Sequence, residues 1–240
     1  RGSASSRTCT ATSPPSNGRS NVLKRTLEEF AARGIDGILC CGDITGIGPF
    51  PEETARRVMA LPNLIACVRG NHEGYLLPET PLDGMDEAER ASHEWERRAV
   101  SDEARAFLAG LPFEAAVEIC GLRILCTHYP RTPDGAFLPI SPEKLREYCA
   151  GFDADLVLYG HDHTPFWEEG APILASPGSL GCPGREKTAA RAGILTVKDG
   201  ECCWEPLRLP YDPSPCLKKL RELSLPDGKI VAKIFYGAEL

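Results

Sequence analysis

Positive charge is scarce in this 240-residue chain. Its 27 lysines and arginines stand against 34 aspartates and glutamates, leaving a net charge of −7. That balance removes the basic face on which a general nucleic-acid binder or an anionic-membrane binder relies. It leaves a phosphate substrate open, because bound cations can supply local positive charge. No run of about 18 apolar residues is present, and the N-terminus has no apolar signal core. The chain therefore reads as cytoplasmic, with no membrane partner. No CxxC pair occurs among the eleven cysteines, which argues against a zinc knuckle or a thioredoxin-like dithiol. Most cysteines lie in apolar runs such as ILCCGD, LIACVRGN and RILCTH, where a thiol behaves as a small hydrophobe. They read as reduced. A further absence bears on function: no aspartate or histidine precedes Asp36.

The organisation is that of one domain. Residues 1–19, RGSASSRTCTATSPPSNGR, are small, polar and without apolar periodicity, and are expected to be disordered or mistranslated. A domain spanning 20–240 follows. Leu23, Leu27, Phe30 and Ala31 share a helical face that Gly34 can close. The run GILCC, an amphipathic helix from Glu52 to Met59 and the run NLIACV give an α/β rhythm. Residues 75–100 read as a polar surface excursion, with His93 a solvated residue inside it. Ser101, Asp102 and Glu103 open a helix to Leu111. Strands are expected at FEAAVEI, LRILCT, ADLVLYG, PILAS, AGILTV and ECCWEPLRL, before a helical C-terminal segment. The C-terminal helices are candidates for packing on the domain or for homo-oligomer contacts.

Only five histidines are present, and four of them follow apolar runs. Asp43 follows GILCC, Asn71 and His72 follow IACVR, His128 follows RILCT, and His161 and His163 follow ADLVLYG. Open α/β sheets place ligands beyond the carboxyl ends of their strands, so these groups are expected to meet at one edge. Imidazole, carboxylate and amide oxygen without thiolate suit a divalent ion such as Mn²⁺, Fe²⁺ or Zn²⁺. A carboxylate can bridge two ions, and paired ions can clamp a phosphoryl group and ionise an attacking water. Asp162, between the two histidines of GHDH, is turned away from them by alternation.

The motifs GD at 42–43, GNHE at 70–73, the lone His128 in CTHYP and GHDH at 160–163 resemble, in order and spacing, the calcineurin-like metallophosphoesterases. Within them, GDITGIGPFPEE and SPGSLGCPG at 176–184 resemble loops of the bacterial YfcE-type phosphodiesterase group. The resemblance covers residues 20–236. It implies an α/β sandwich of two mixed β-sheets flanked by helices. It also implies hydrolysis of a small phosphodiester, phosphomonoester or nucleotide by a metal-bound hydroxide at a dinuclear site. Carried over, Asp43 is the bridging carboxylate, with Asn71, His128 and His161 completing one ion site and His163 serving the other. His72 lies near the leaving oxygen as general acid or stabiliser. Two divalent ions are implied, manganese foremost, with iron, zinc or nickel as alternatives.

One departure matters. The family begins with a strand ending in D-x-H, which furnishes one of the ions. TATSPPSNGRS has neither an acid nor a histidine, so that site is expected to be weak. A shifted reading frame upstream of Ser20 is one account, and the missing strand-like run favours it; genuine loss is the other. The rival function is an inactive member of the fold serving as an interaction scaffold, against which the retained His72 argues.

Overall fold

In a computed structural model of the chain, the described residues are 6–12, 20–78, 80–131, 141–182 and 189–240. The apolar runs become strands of two five-stranded sheets. The first contains β1 (Ser6–Thr12), β2 (Gly37–Cys40), β3 (Leu64–Cys67), β9 (Ala189–Lys198) and β10 (Glu201–Pro210), in the order β10-β9-β1-β2-β3. The second contains β4 (Glu114–Ile119), β5 (Leu122–Thr127), β6 (Leu156–Tyr159), β7 (Phe166–Glu168) and β8 (Ile173–Ser176), in the order β4-β5-β6-β8-β7. Strands β1, β2 and β3 run parallel, as do β5, β6 and β8, while β9, β10, β4 and β7 join antiparallel. The helices are α1 (Ser20–Ala32), α2 (Pro51–Met59), α3 (Asn71–Tyr75), α4 (Glu87–Ala99), α5 (Asp102–Gly110), α6 (Pro142–Cys149), α7 (Ser214–Leu223) and α8 (Gly228–Tyr236). Two mixed sheets flanked by helices are the architecture the resemblance implies.

Alternation along the strands explains the layering. Leu39, Ala66 and Leu195 of the first sheet meet Ile124, Cys126, Leu156 and Leu158 of the second in the inter-sheet core. Ile38 and Cys40 point the other way, into a core with Val22 and Phe30 of α1, Ala55 and Val58 of α2, and Leu220 of α7. On the far face of the second sheet, Leu125, Val157 and Leu174 pack on Leu145 and Cys149 of α6. Both faces of each sheet are covered, which is why the parallel strands read as unbroken apolar runs.

The expectation that residues 1–19 lack order is corrected for 6–12. SRTCTAT forms β1 between β9 and β2, with Cys9 opposite both Leu195 and Gly37. Asp36 ties the strand further: its Oδ2 accepts the Thr8 N–H at 2.9 Å, and its own N–H donates to the Thr8 carbonyl at 2.8 Å. The strand needs little apolar content because neighbours on both sides saturate its backbone, and Cys9 supplies a fully buried side chain. Residues 1–5 and 13–19 lie outside the described residues, as do Pro183 and Gly184 of the SPGSLGCPG turn. Residues 75–100 are also more than a surface excursion. Asp86 caps α4 by accepting the Glu89 N–H, and α4 buries Ser92, His93 and Glu96. No described helix is long and apolar enough to cross a membrane.

Candidate metal centre

Four parallel strands deliver the candidate groups. Asp43 lies just beyond β2, Asn71 opens α3 after β3, His128 follows β5, and His161 follows β6. Asp43 and His161 adopt left-handed backbone, with φ of 55° and 63°. Such strain in a non-glycine residue costs about 1–3 kcal/mol and persists where surrounding structure enforces it. Close approach of the β2 and β3 exits demands glycine at 70, where a methyl group would collide with the Asp43 carboxylate.

The donor atoms converge. Asn71 Oδ1 stands 3.1 Å from His128 Nε2 and 3.0 Å from His161 Nδ1. The two imidazole nitrogens are 3.3 Å apart, and Asp43 Oδ2 is 3.3 Å from His128 Nε2. His128 Nδ1 donates to the Cys41 carbonyl at 2.6 Å, which fixes the tautomer and leaves the Nε2 lone pair facing the cluster. A neutral His128 that donates through Nδ1 presents its Nε2 lone pair to Asn71 Oδ1. A cation at about 2.1 Å from each donor would separate them by about 3.0–3.4 Å in octahedral or tetrahedral arrangement. The observed spacings fit that requirement.

Electrostatics tie the same groups together. Burial works against the Asp43 carboxylate, yet His128 and His72 hold it well below the usual range. Burial also opposes charge on His128, but Asp43 draws its pKa upward, so a cation at Nε2 would take the place of a proton facing Asp43. Burial, reinforced by His128, pulls His161 down to about 4, the direction that keeps imidazole in its ligating form. His163 is lowered as well, chiefly by burial. It stands apart from the tight cluster: among the described residues, Asp43, His128 and His161 are the histidine, cysteine or acid groups with ligand atoms within 4.8 Å of one another. The His163 ring lies 6.0 Å from Phe235 of α8.

His72 is half-buried beside the cluster. Its backbone N–H donates to Asp43 Oδ1 at 3.2 Å, while its Nδ1 has no hydrogen-bond partner. Burial lowers its pKa to about 4. Gly46, at φ 112°, makes room for this ring, since a methyl there would land on the imidazole. His93 is not the solvated residue expected: it is 4% exposed, 5.8 Å from the His72 ring and 4.7 Å from Tyr75. Arg69 points away, over the Phe113 ring and onto the Ala109 carbonyl. The Tyr129 ring lies tilted against His161, with 4.1 Å between centroids. Asp162 is exposed, as alternation requires.

Glu73 is the residue that sequence reasoning passed over. Fully buried, it accepts the N–H groups of Ile44 and Thr45 on Oε1 (2.7 and 3.1 Å) and of Asp43 and Gly70 on Oε2 (2.9 and 2.8 Å). Burial, with the Asp43 charge, pushes its carboxyl up to about 7, and the Gly70 and Thr45 amides pull against that shift. The side chain thereby clamps the Asp43 loop to the start of α3. Its place three residues after Gly70, at a helix start, was the available signal.

Comparison with known proteins adds three findings. The model of the calcineurin-like phosphoesterase superfamily domain matches residues 18–200. The uncharacterized protein MJ0912 of Methanocaldococcus jannaschii is 27% identical over 235 residues, covering 90% of this chain and 93% of the relative. Crystal structures of a metallophosphoesterase from Sphaerobacter thermophilus and of hypothetical protein PH1004 from Pyrococcus horikoshii share the fold. The first has a TM-score of 0.74 at 21% identity, covering 97% of this chain and 99% of that one. The second has 0.75 at 18%, covering 98% and 99%.

Proposed function

The chain belongs to the calcineurin-like phosphoesterase superfamily, and from that premise we propose that it hydrolyses a small phosphoester with Asp43, Asn71, His128 and His161 holding a divalent cation. The observation that carries the reading is the set of nitrogen and oxygen atoms at 3.0–3.3 Å, spaced as ligands of one ion. A divalent cation would supply positive charge to a phosphoryl oxygen and acidify a water. Manganese is the ion we expect first, since the donor set holds no thiolate. Asp43 and His163 are the residues left for a second ion. With no aspartate or histidine before Asp36, that second site is incomplete in this chain.

The residues around the cluster have separable tasks. Asp43, anchored by the His72 N–H, is oriented by that contact as well as by its own backbone. His128 is held in its ligating tautomer by Cys41. His72, with an unpartnered Nδ1 and a ring given room by Gly46, is placed to donate to the oxygen that leaves phosphorus. The test is turnover of bis(p-nitrophenyl) phosphate with Mn²⁺ by the wild type and by His161→Ala. Turnover that depends on Mn²⁺ and falls at least a hundredfold in the variant is expected. Background rates in both would overturn the enzyme reading and leave a scaffold of the same fold.

A further inference from the structure

Helix α4 runs beside His72, and two of its buried side chains meet a need that the ring leaves open. His72 Nδ1 is buried without a hydrogen-bond partner, so no bond at that nitrogen sets the direction of an imidazole that must address one oxygen. Packing has to set it instead. Gly46 forms one wall, since a methyl group there would land on Nδ1, Cγ and Cβ of the ring. Tyr75 stands edge-on to His72 at 5.6 Å between centroids, and His93 of α4 lies tilted at 5.8 Å. Tyr75 and His93 are themselves 4.7 Å apart, so the three rings form one cluster.

The Gly46 wall is also held from α4. Glu73 takes the amides of Asp43, Ile44 and Thr45, and the next amide in the chain, that of Gly46, donates to Glu96 Oε1 at 2.6 Å. The other Glu96 oxygen faces His93 Nδ1 at 3.6 Å, one helical turn back. Arg97, the next residue, donates from Nε to the Tyr75 carbonyl at 2.8 Å and from a second nitrogen to the Leu77 and Thr80 carbonyls. One helix therefore pins both the wall against His72 and the end of α3, the helix that bears it. A buried carboxylate and a buried imidazole are costly where an apolar pair would pack, so their presence at 96 and 93 calls for a task beyond filling space.

We propose that Glu96 and His93 are positioning residues for His72: Glu96 holds the Gly46 backbone against the ring, and His93 braces both Glu96 and the ring. They act through the imidazole rather than on the phosphorus centre. The inference rests on the phosphoester hydrolysis proposed above, in which His72 donates a hydrogen bond to the oxygen that leaves phosphorus. That bond is worth most where the leaving oxygen gathers most negative charge. Misplacing the ring should therefore weigh on esters of weakly acidic alcohols far more than on esters of p-nitrophenol.

The experiment compares Mn²⁺-dependent turnover of diphenyl phosphate and bis(p-nitrophenyl) phosphate by the wild type, Glu96→Ala, Glu96→Gln and His93→Ala, and by each alanine change combined with His72→Ala. Both alanine variants should lose at least tenfold more kcat on diphenyl phosphate than on bis(p-nitrophenyl) phosphate, with KM within twofold of wild type. Glu96→Gln keeps a carbonyl oxygen for the Gly46 amide and should recover most of the loss. In the His72→Ala background neither alanine change should cost anything further. Equal losses on the two esters, or losses that persist without His72, overturn the proposal. Crystal structures of Glu96→Ala and His93→Ala give a readout that needs no turnover: the His72 ring should leave its wild-type place. An unmoved ring in both removes the positioning role alone, whereas a displaced ring in a protein whose wild type hydrolyses neither ester removes the proposed reaction alone.

Discussion

Replacing Glu73 by alanine should destabilise the protein more than any change at the surrounding ligands. The substitution strips acceptors from four buried amides, those of Asp43, Ile44, Thr45 and Gly70. An unsatisfied buried donor costs about 1–3 kcal/mol, so the lower end for four gives about 4 kcal/mol. For a chain of this size each kcal/mol shifts Tm by about 2–4 °C, which predicts a fall of about 8–16 °C. Glu73→Gln separates the two oxygens: one acceptor remains for two amides, while an NH₂ group confronts the other pair. It should lose about half as much, about 2 kcal/mol. Thermal and urea denaturation followed by circular dichroism measure both, and Mn²⁺ affinity should fall in the same order. An alanine variant within about 1 kcal/mol of wild type would refute the clamp.

Gly46→Ala should reduce Mn²⁺-dependent turnover at least tenfold, because the methyl group takes the space of the His72 ring and the backbone is left-handed; unchanged turnover would remove the steric argument. Asp155 accepts three hydrogen bonds from Arg123, which, led by the guanidinium, hold its pKa down at about 2. A depressed carboxyl stabilises fully above its unfolded pKa of about 3.9 and loses that contribution as pH falls toward 2. Asp155→Asn should therefore show a shallower loss of stability across that window in acid titration. Cysteine reactivity should be uneven: Cys203 is exposed and Cys120 and Cys202 are half-buried, while the rest are buried. Burial also pushes Cys126 and Cys149 up to about 12. A thiol reagent should label Cys203 first in the native protein and all eleven only after denaturation.

The fold was legible where apolar runs met turn signals. GILCC, NLIACV, RILCT and ADLVLYG became β2, β3, β5 and β6 because strands buried on both faces show continuous apolar character. β1 was hidden for the opposite reason: SRTCTAT has no apolar run, and its stability comes from pairing on both edges, a long-range property. His93 was misread because its helix is rich in charge, yet the face bearing Ser92, His93 and Glu96 turns inward. The candidate centre was legible through order and spacing, since each donor follows a strand end. Glu73 was legible as an N3 carboxylate but not as the clamp on the Asp43 loop, because its bonds to distant amides exist only once the chain is folded.

The most direct test of the central claim is the count of Mn²⁺ ions bound per chain, by calorimetry with elemental analysis. Asp43, Asn71, His128 and His161 should hold one ion tightly. Binding should vanish in His161→Ala and survive in His163→Ala. Two ions of equal affinity, or an undiminished ion in His161→Ala, would contradict the account.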